Sequence, residues 1–306
     1  MYNEDQPTVL PAVPRIVVIG DVHGDIGRFM RVMYSLGIVS PLWEWTAEPK
    51  NTIVVQLGDQ VDGKTRLPGQ DPGGADAGAW ETLPDVECLR VFDTLDALAK
   101  QHGGRVLSLL GNHELMNVMG EFSYVSERSM AACGGAAARA WMFRPGSDLA
   151  RTVLARRNVA LRVGRQLFVH GGILPGHIDA FGGSLYLMND VARRFLRGQD
   201  MPQEDMGRAQ TVLFGDMGVM WSRAYMAMAQ ADQDALGRVV GEVCEKAGAQ
   251  AVFTGHNTVP EILPAAGGRV WFVDAGFSRA YGNQGVVRVL EILDDGASFR
   301  TIQVQA

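Results

Sequence analysis

Short runs of aliphatic and β-branched residues recur through the first third of the chain, and each run ends at a glycine or a polar loop. The run Arg15 to Gly20 (RIVVIG) is followed by DVHGD, and the run Thr52 to Leu57 (TIVVQL) by GDQVD. Arg105 to Leu110 (RVLSLL) precedes GNHE in the same way. Apolar runs bounded by turn residues predict buried strands. The pattern therefore predicts three strands that each lead into a polar loop.

Helical periodicity appears between these strands. Asp25 can cap a helix that begins directly after the first polar loop, and segment 86–101 (VECLRVFDTLDALAKQ) has a second helical pattern. The apolar positions of the first helix are Ile26, Phe29, Met30, Met33 and Leu36. Because these positions recur at helical spacing, one face of the helix is predicted to pack on the strands.

The rest of the chain continues this alternation. The alanine-rich stretch 121–163 is predicted to be helical, followed by a strand in RQLFVHGG and by helices over 185–197 and 232–246. Strand patterns return in AVFTGH, RVWFVDAG, VVRVLEIL and SFRTIQV. Alternating strands and helices predict an α/β fold.

No linker, repeat or shift in composition divides the chain. We therefore expect a loose N-terminal leader over residues 1–14 and a single domain over residues 15–306. The Gly- and Pro-rich segment 63–84 has no periodicity and is predicted to be a long surface loop near the active site.

Composition and charge narrow the range of functions. Of the 306 residues 47% are hydrophobic and 20% are charged, which is typical of a globular protein and excludes disorder as the main state. The net charge of −6 provides no global positive field for nucleic acid or for an anionic membrane. The three scattered cysteines suggest neither a disulfide framework nor a thiolate zinc site. With no signal-peptide pattern at the N-terminus, we expect a cytoplasmic protein.

Five polar clusters contain the residue types that bind metals and catalyse reactions. Four of these clusters directly follow an apolar strand. Ligands bind at the carboxyl ends of strands in open α/β sheets, so clusters far apart in sequence can converge there. A single histidine after a strand is ordinarily structural, but four histidines in such clusters favour a metal site. The clusters are GDVHG (Asp21, His23), GDQVD (Asp59, Asp62), GNHE (Asn112, His113, Glu114), HGG (His170) and GH (His256).

The donor types in these clusters indicate which metals suit the site. Carboxylate, imidazole and amide donors without thiolate suit Mn, Fe or Zn, whereas Mg prefers oxygen donors alone. The number of donors exceeds what one tetrahedral ion needs, and one carboxylate can bridge, so two divalent or trivalent ions are expected. The candidate ligands are Asp21, His23, Asp59, Asn112, His170 and His256.

In this order the clusters resemble the motifs GDxHG, GDxVDRG, GNHE, HGG and GH of the PPP-type metallophosphoesterases, the calcineurin-like family. The longer segments GNHELMN, FRPGSDLARTVLARRNVALRVGRQLFVHGGI and FVDAGFSRAYGN resemble the Shewanella-like protein phosphatase branch. The resemblance runs from about Arg15 to the C-terminal strands. It implies a central β-sandwich flanked by helices, in αββα layers.

The resemblance also implies roles for individual residues. Asp21, His23 and a bridging Asp59 would bind one ion, and Asp59, Asn112, His170 and His256 the other. His113 would protonate the leaving oxygen and Asp62 would orient it, while a hydroxide bridging the two ions attacks phosphorus. The implied activity is that of a metal-dependent phosphoprotein phosphatase that hydrolyses Ser/Thr or Tyr phosphomonoesters, with a phosphorylated protein or peptide as partner.

One position departs from the family pattern. The motif GDxVDRG has an arginine that clamps phosphate, but this chain has Gly63 there. Lys64, Arg66 and Arg223 are candidate substitutes, although a lysine lacks the planar fork of a guanidinium. The alternatives are a dinucleoside polyphosphate hydrolase, and a metal-binding pseudophosphatase impaired by the loss of that arginine.

Overall fold

Two β-sheets stack face to face in the computed structural model, which describes residues 4–66, 81–213, 215–282 and 285–305. The strands are β1 (Val9–Leu10), β2 (Arg15–Ile19), β3 (Ile53–Gln56), β4 (Arg105–Ser108), β5 (Ala160–Val163), β6 (Gln166–Val169), β7 (Ala251–Thr254), β8 (Leu263–Ala265), β9 (Val270–Phe272), β10 (Val286–Leu293) and β11 (Ser298–Gln305).

Each sheet has a parallel centre. The first sheet has the order β11-β10-β2-β3-β4, in which β2, β3 and β4 are parallel. The second sheet has the order β1-β5-β6-β7-β9-β8, in which β6, β7 and β9 are parallel. The central strands are buried on both faces and are apolar except at their ends, as at Gln56 of β3 and Ser108 of β4, which explains why they appear in the sequence as short apolar runs. In each sheet the carboxyl ends of the parallel strands share one edge.

Helices cover the outer faces of both sheets. They are α1 (Ile26–Ser35), α2 (Asp85–Lys100), α3 (Asn112–Val118), α4 (Glu127–Ala132), α5 (Ala136–Phe143), α6 (Asp148–Thr152), α7 (Pro175–Asp179), α8 (Leu185–Leu196), α9 (Gln203–Leu213), α10 (Ala224–Ala231) and α11 (Gln233–Ala247). Short 3-10 helices span Leu154–Arg156, Ala266–Gly268, Arg279–Tyr281 and Asp294–Gly296.

Three apolar clusters correspond to the interfaces between these layers. Val18 and Phe168 belong to the cluster between the two sheets. Phe29 of α1 and Phe92 of α2, with ring centroids 4.5 Å apart, pack on the first sheet, and Val240 of α11 packs on the second. The predicted αββα layering is therefore confirmed.

Three features differ from the sequence-based expectations. The last residues of the stretch predicted to be helical form β5, because Val163 and Gln166 close a hairpin with β6. The structure also contains α9, α10 and β8, which the hydrophobic pattern did not predict.

The N-terminal leader is the third difference. From residue 4 onward it is not loose, because β1 pairs in parallel with β5 and thereby covers an edge of the second sheet. Thr8 and Gln6 are buried, and the carbonyl of Gln6 accepts a hydrogen bond from Arg193 Nη2 at 2.9 Å.

Two expectations stay predictions. Residues 67–80 of the predicted surface loop 63–84 lie outside the described residues. The assignment of residues 15–306 to a single domain is also untested. Among the described helices, none is both long and apolar enough to cross a lipid bilayer.

Candidate metal centre and phosphate pocket

The predicted site residues lie where the parallel strands end. Asp21 follows β2, Asp59 follows β3, and Asn112 begins α3 directly after β4. From the second sheet, His170 follows β6 and His256 follows β7. Strand ends from both sheets thus contribute to one site. Several of these residues have positive φ angles, which are uncommon outside glycine and persist where surrounding contacts support them. They are His23 (φ 42°), Asp59 (φ 54°), Asp62 (φ 72°) and His256 (φ 60°).

Asp59 is at the centre of the cluster. Its Oδ2 lies 3.3 Å from His170 Nε2 and 3.8 Å from the Nε2 atoms of both His23 and His113. Two groups of candidate ligands share it, one with His23 and His113 and one with His170 and His256, and in each group the donor atoms lie within 4.8 Å of one another. A carboxylate shared in this way can bridge two ions.

The contacts of His170 indicate a cation site. Its Nδ1 donates to the carbonyl of Leu57 at 2.7 Å, so in the neutral, metal-binding form of the imidazole the lone pair is on Nε2, which faces the site. That Nε2 lies 3.0 Å from Asn112 Oδ1 and 3.3 Å from Asp59 Oδ2. His170 Nε2, Asn112 Oδ1 and Asp59 Oδ2 therefore lie close together, and each can supply a lone pair to a cation.

The carboxylate of Asp21 provides independent evidence for a metal ligand. Its Oδ2 accepts the backbone N–H of His256 at 2.9 Å, and its Oδ1 lies 3.9 Å from His170 Nδ1. Although buried, Oδ1 has no hydrogen-bond partner within the described part of the chain. Buried polar atoms are almost always paired, so an unpaired carboxylate oxygen here fits a metal ligand.

The electrostatics of the cluster are strongly perturbed. Burial, reinforced by Asp274, raises the pKa of Asp21 well above its ordinary value. Burial alone would lower the pKa of His170, but Asp59 and Asp21 raise it to about 10. Burial, aided by His170, lowers the pKa of His256 to about 3. A bound cation would oppose the first two shifts, because it favours the charged carboxylate of Asp21 and the neutral form of His170.

His23 is fully buried at the opposite side of Asp59. Its Nδ1 lies 3.1 Å from the carbonyl of Val61 and its Nε2 3.2 Å from the Tyr281 hydroxyl. Burial and the nearby Arg66 guanidinium hold the pKa of His23 well below its ordinary value. A neutral imidazole is the form that binds metals. The donor set, with no thiolate, fits the Mn, Fe or Zn expected from the sequence.

His113 and Asp62 form a close pair beside the donor cluster. Nδ1 of His113 lies 2.7 Å from Asp62 Oδ2, and the His113 ring contacts the His23 ring edge to face at 4.8 Å. Asp62 is completely buried. Since Nδ1 is occupied by Asp62, Nε2 is the nitrogen of His113 available to a substrate.

A cavity of about 920 Å³ lies over these residues. Arg66 is held between the rings of Tyr124 and Tyr281, with its guanidinium carbon 5.2 Å from each centroid. Nη2 of Arg66 lies 3.4 Å from His113 Nε2, while its buried Nη1 has no hydrogen-bond partner among the residues described. On the other side, Nη1 of Arg223 donates to Asn257 Oδ1 at 3.1 Å. Two guanidinium groups thus line the cavity.

The structure explains the glycine at position 63. A Cβ atom there would overlap Glu81 Oε1 and lie only 2.9 Å from Glu81 Cδ. Glu81 is buried, is hydrogen-bonded to Ser129 at 3.1 Å, and has a pKa raised by burial to about 7. Glu81 therefore occupies the space that an arginine side chain at this position would enter.

Of the three candidate substitutes for the family arginine, two reach the cavity. Lys64 does not belong to its described lining, because its ammonium group donates to the carbonyl of Ser123 at 3.1 Å. The expectation that Lys64 contacts substrate is therefore not supported by its position. Arg66 and Arg223 both lie beside the donor cluster.

Sequence reasoning assigned no role to Glu114, although it noted the residue in GNHE. Its carboxylate accepts the backbone N–H groups of Asp59 at 3.0 Å, of Gln60 at 2.7 Å and of Gly111 at 2.7 Å. Glu114 thus ties together the two polar loops that follow β3 and β4. Arg139 and Asp274 were also missed, because their partners lie far away in sequence.

Comparisons with known proteins identify the family to which the chain belongs. A family model described as calcineurin-like phosphoesterase matches residues 14–260. An uncharacterised protein of Schizosaccharomyces pombe is 28% identical over 287 residues, covering 90% of this chain and 76% of the relative. Shewanella-like protein phosphatase 2 of Arabidopsis thaliana is 26% identical over 238 residues, covering 64% of this chain and 55% of the relative.

A solved structure of similar fold is that of the cold-active protein-tyrosine phosphatase of a psychrophilic Shewanella species. It has a TM-score of 0.70 and 20% sequence identity, covering 98% of this chain and 83% of that one. This likeness concerns the fold. Since the family model spans most of the chain, the chain belongs to the calcineurin-like phosphoesterase family. Members of this family use a dinuclear metal centre.

Proposed function

We propose that this calcineurin-like phosphoesterase is a metal-dependent phosphoprotein phosphatase that hydrolyses phosphomonoesters on serine, threonine or tyrosine side chains. The observation that carries the proposal is the convergence on one cavity of a metal-donor cluster, a His–Asp pair and two arginines. Each of these groups supplies one requirement of phosphoryl transfer.

The donor cluster would hold two ions. When bound, such ions supply Lewis-acid activation of water and neutralise charge on the phosphoryl oxygens. In the proposed arrangement Asp59 is shared, and the Glu114 contact to its backbone N–H fixes the loop that carries it. As the resemblance implies, one site would take Asp21, His23 and Asp59, and the other Asp59, Asn112, His170 and His256. The geometry itself groups Asp59 with His23 and His113 and with His170 and His256, and it places the Asp21 carboxylate beside His170.

His113 would donate the proton that the leaving oxygen needs. Asp62 Oδ2 lies 2.7 Å from Nδ1 and fixes the orientation of the ring, so Nε2–H can be directed toward the substrate. The backbone N–H of His113 also donates to Asp59 Oδ1 at 3.0 Å. This second contact fixes the proton donor relative to the shared carboxylate.

Arg66 and Arg223 would bind the phosphoryl oxygens. Nη1 of Arg66, which has no hydrogen-bond partner among the described residues, is a donor ready for an anion. Charge-assisted hydrogen bonds are about twice as strong as neutral ones. The two tyrosine rings that enclose Arg66 limit its movement. Arg66 thereby takes the function that the family assigns to the position of Gly63.

Two observations support a phosphorylated protein as substrate. The cavity of about 920 Å³ is large enough for an aryl as well as an alkyl phosphate, since ligand pockets span roughly 300–1,000 Å³. The similar proteins named above include a Shewanella-like protein phosphatase and a structure titled protein-tyrosine phosphatase. None of the similar proteins named above is named as a nucleotide hydrolase.

The decisive experiment restores Mn, Fe, Zn and Mg separately to metal-depleted protein. Each form is assayed on peptides that carry phosphoserine, phosphothreonine or phosphotyrosine, with diadenosine tetraphosphate as the competing substrate. We expect phosphopeptide hydrolysis with one or more of Mn, Fe and Zn, and two bound ions per active chain by elemental analysis.

The other outcomes distinguish the alternatives. Turnover of diadenosine tetraphosphate without turnover of any phosphopeptide would identify a dinucleoside polyphosphate hydrolase. Two bound ions and no turnover of any of these substrates would identify a metal-binding protein that has lost catalysis.

A further inference from the structure

A closed network of buried polar side chains lies behind the His113–Asp62 pair. Asp62 uses Oδ2 for His113, and its Oδ1 accepts a hydrogen bond from Asn117 Nδ2 at 2.8 Å. Arg139 donates to Asn117 Oδ1 through Nε at 2.6 Å, and its Nη2 lies 3.6 Å from Asp62 Oδ1. Asp85 completes the network, because it accepts two hydrogen bonds from Arg139, at 2.9 and 2.8 Å.

This network holds Asp62 at two points. Asp85 Oδ2 accepts the backbone N–H of Asp62 at 3.1 Å, while Asn117 holds the side chain. Arg139 connects both supports through one planar fork. Asp62 has a φ of 72°, a conformation that an aspartate keeps only where neighbouring groups support it.

The network also contains three buried ionisable side chains. Asp62 and Asp85 are two carboxylates buried side by side, and Arg139 is a fully buried guanidinium between them. Burial of charge is tolerated where ions are paired and hydrogen-bonded. Arg139 thus provides a hydrogen-bonded counter-charge within the network, at 2.8 Å from Asp85 and 3.6 Å from Asp62.

We propose that Arg139 is a positioning residue that holds the Asp62 carboxylate, and through it the His113 imidazole, in the geometry required for proton delivery to the leaving group. The inference rests on the proposed role of His113 as proton donor. Arg139 touches neither the substrate cavity nor the donor cluster in the contacts of the described residues. It acts through Asp62.

The principal test replaces Arg139 with lysine, which keeps the charge but cannot contact Asn117 and both oxygens of Asp85 at once. The kcat values for a phosphoserine peptide and for p-nitrophenyl phosphate are compared, with metal content verified. A serine alkoxide needs a proton to leave, whereas p-nitrophenolate leaves with little help. We expect kcat for the phosphopeptide to fall about tenfold or more, a part of the about 10²–10⁴-fold that general acid catalysis contributes in full. The loss on the aryl substrate should be much smaller, and the KM values should be similar.

Two further variants separate positioning from a general loss of structure. Arg105→Lys is the matched control, because Arg105 also forms a two-point ion pair, with Asp96 at 2.7 and 3.0 Å, but at the amino end of β4. It should show no substrate bias. In a His113→Asn background, Arg139→Lys should cause little further loss. Should Arg139→Lys fold poorly, the double variant Arg139→Met/Asp85→Asn removes both charges together and should show the same bias.

Equal losses on both substrates, or losses that add fully to those of His113→Asn, would overturn the inference and leave the proposed phosphatase activity standing. A readout independent of turnover is the NMR signal of the His113 Nδ1 proton in zinc-loaded protein labelled at histidine. That signal should be present in wild type, be lost in Asp62→Asn, and be shifted in Arg139→Lys. If wild type hydrolyses neither substrate, the proposed function fails, and an unchanged signal in Arg139→Lys would still contradict the positioning role.

Discussion

The two sides of the cavity are built differently. The donor side, formed by Asp21, Asp59 and His170, comes directly from strand ends and is buried in the backbone framework of both sheets. The arginine side, formed by Arg66 and Arg223, comes from a loop and from the residue that precedes α10. In the proposed function, the strand framework would therefore carry the metal chemistry, while phosphate binding would depend on side chains that reach in from outside the strands. This difference predicts unequal consequences for substitutions on the two sides.

The largest effect is expected on the donor side, from Asp59→Asn. An amide cannot bridge two cations as a carboxylate does, so both ions should bind more weakly. Activity should fall by more than about 100-fold, since even outer partners of metal ligands cost about 10- to 100-fold. Elemental analysis and kcat measured together provide the check.

The matched control for Asp59→Asn is Asp96→Asn, because Asp96 is also a buried carboxylate but is paired with Arg105. It should affect stability and leave metal content unchanged. If Asp59→Asn retained two ions and full activity, Asp59 would not be the shared ligand of the two ions.

On the arginine side, Arg66→Met and Arg223→Met should weaken phosphate binding without removing metal. Hydrogen bonds to charged groups contribute about 1.5–3 kcal/mol, which corresponds to roughly 10- to 150-fold in affinity. Arg66 should show the greater loss, because it is enclosed by two rings and lies next to His113. Competitive inhibition by inorganic phosphate measures both.

Arg165→Met provides the control for these two variants, since Arg165 is an exposed arginine that pairs with Asp295 at 3.1 Å. An unchanged inhibition constant in both Arg66→Met and Arg223→Met would mean that phosphate is bound by other groups. The arginine side of the cavity would then not be the phosphate-binding side.

A smaller effect, on stability, is expected when the family residue is restored by Gly63→Arg. The larger side chain would collide with Glu81, and overpacking typically costs about 1–3 kcal/mol. Phosphate affinity should not improve. The free energy of unfolding by urea and the phosphate inhibition constant are the two measurements.

Gly237→Ala is the control for this substitution, because a Cβ atom at Gly237 in α11 meets no heavy atom within 4 Å among the described residues. It should be neutral or slightly stabilising. Adding Glu81→Ala to Gly63→Arg should recover stability. Tighter phosphate binding by Gly63→Arg alone would show that Glu81 moves aside easily.

The same contrast explains what could be predicted from the sequence. Asp21, Asp59 and His170 each follow a short apolar run directly, so local pattern and the convergence of strand ends were enough to bring them together. The layered fold followed from the same runs. The position of a site residue could thus be predicted where that residue follows a strand that the local sequence pattern reveals.

The remaining features depend on contacts between distant segments. The exclusion of an arginine at Gly63 depends on Glu81, and the support of Asp62 depends on Arg139 in an alanine-rich helix. Likewise, the leader is ordered because β1 finds an open edge at β5. Hydrophobic periodicity contains no information about such pairings, so they became visible only in three dimensions.

The smallest effect is expected from Lys64→Met, which tests the boundary of the arginine side. Lys64 follows Gly63 directly in sequence, yet its ammonium group is exposed and donates to the carbonyl of Ser123. Exposed contacts of this kind are typically worth less than about 1 kcal/mol. Lys64→Met should therefore change both the phosphate inhibition constant and the free energy of unfolding by less than the change in Arg66→Met. A loss of phosphate affinity equal to that of Arg66→Met would show that Lys64 turns into the cavity when an anion binds, and the arginine side would then extend along the loop from position 64 to position 66.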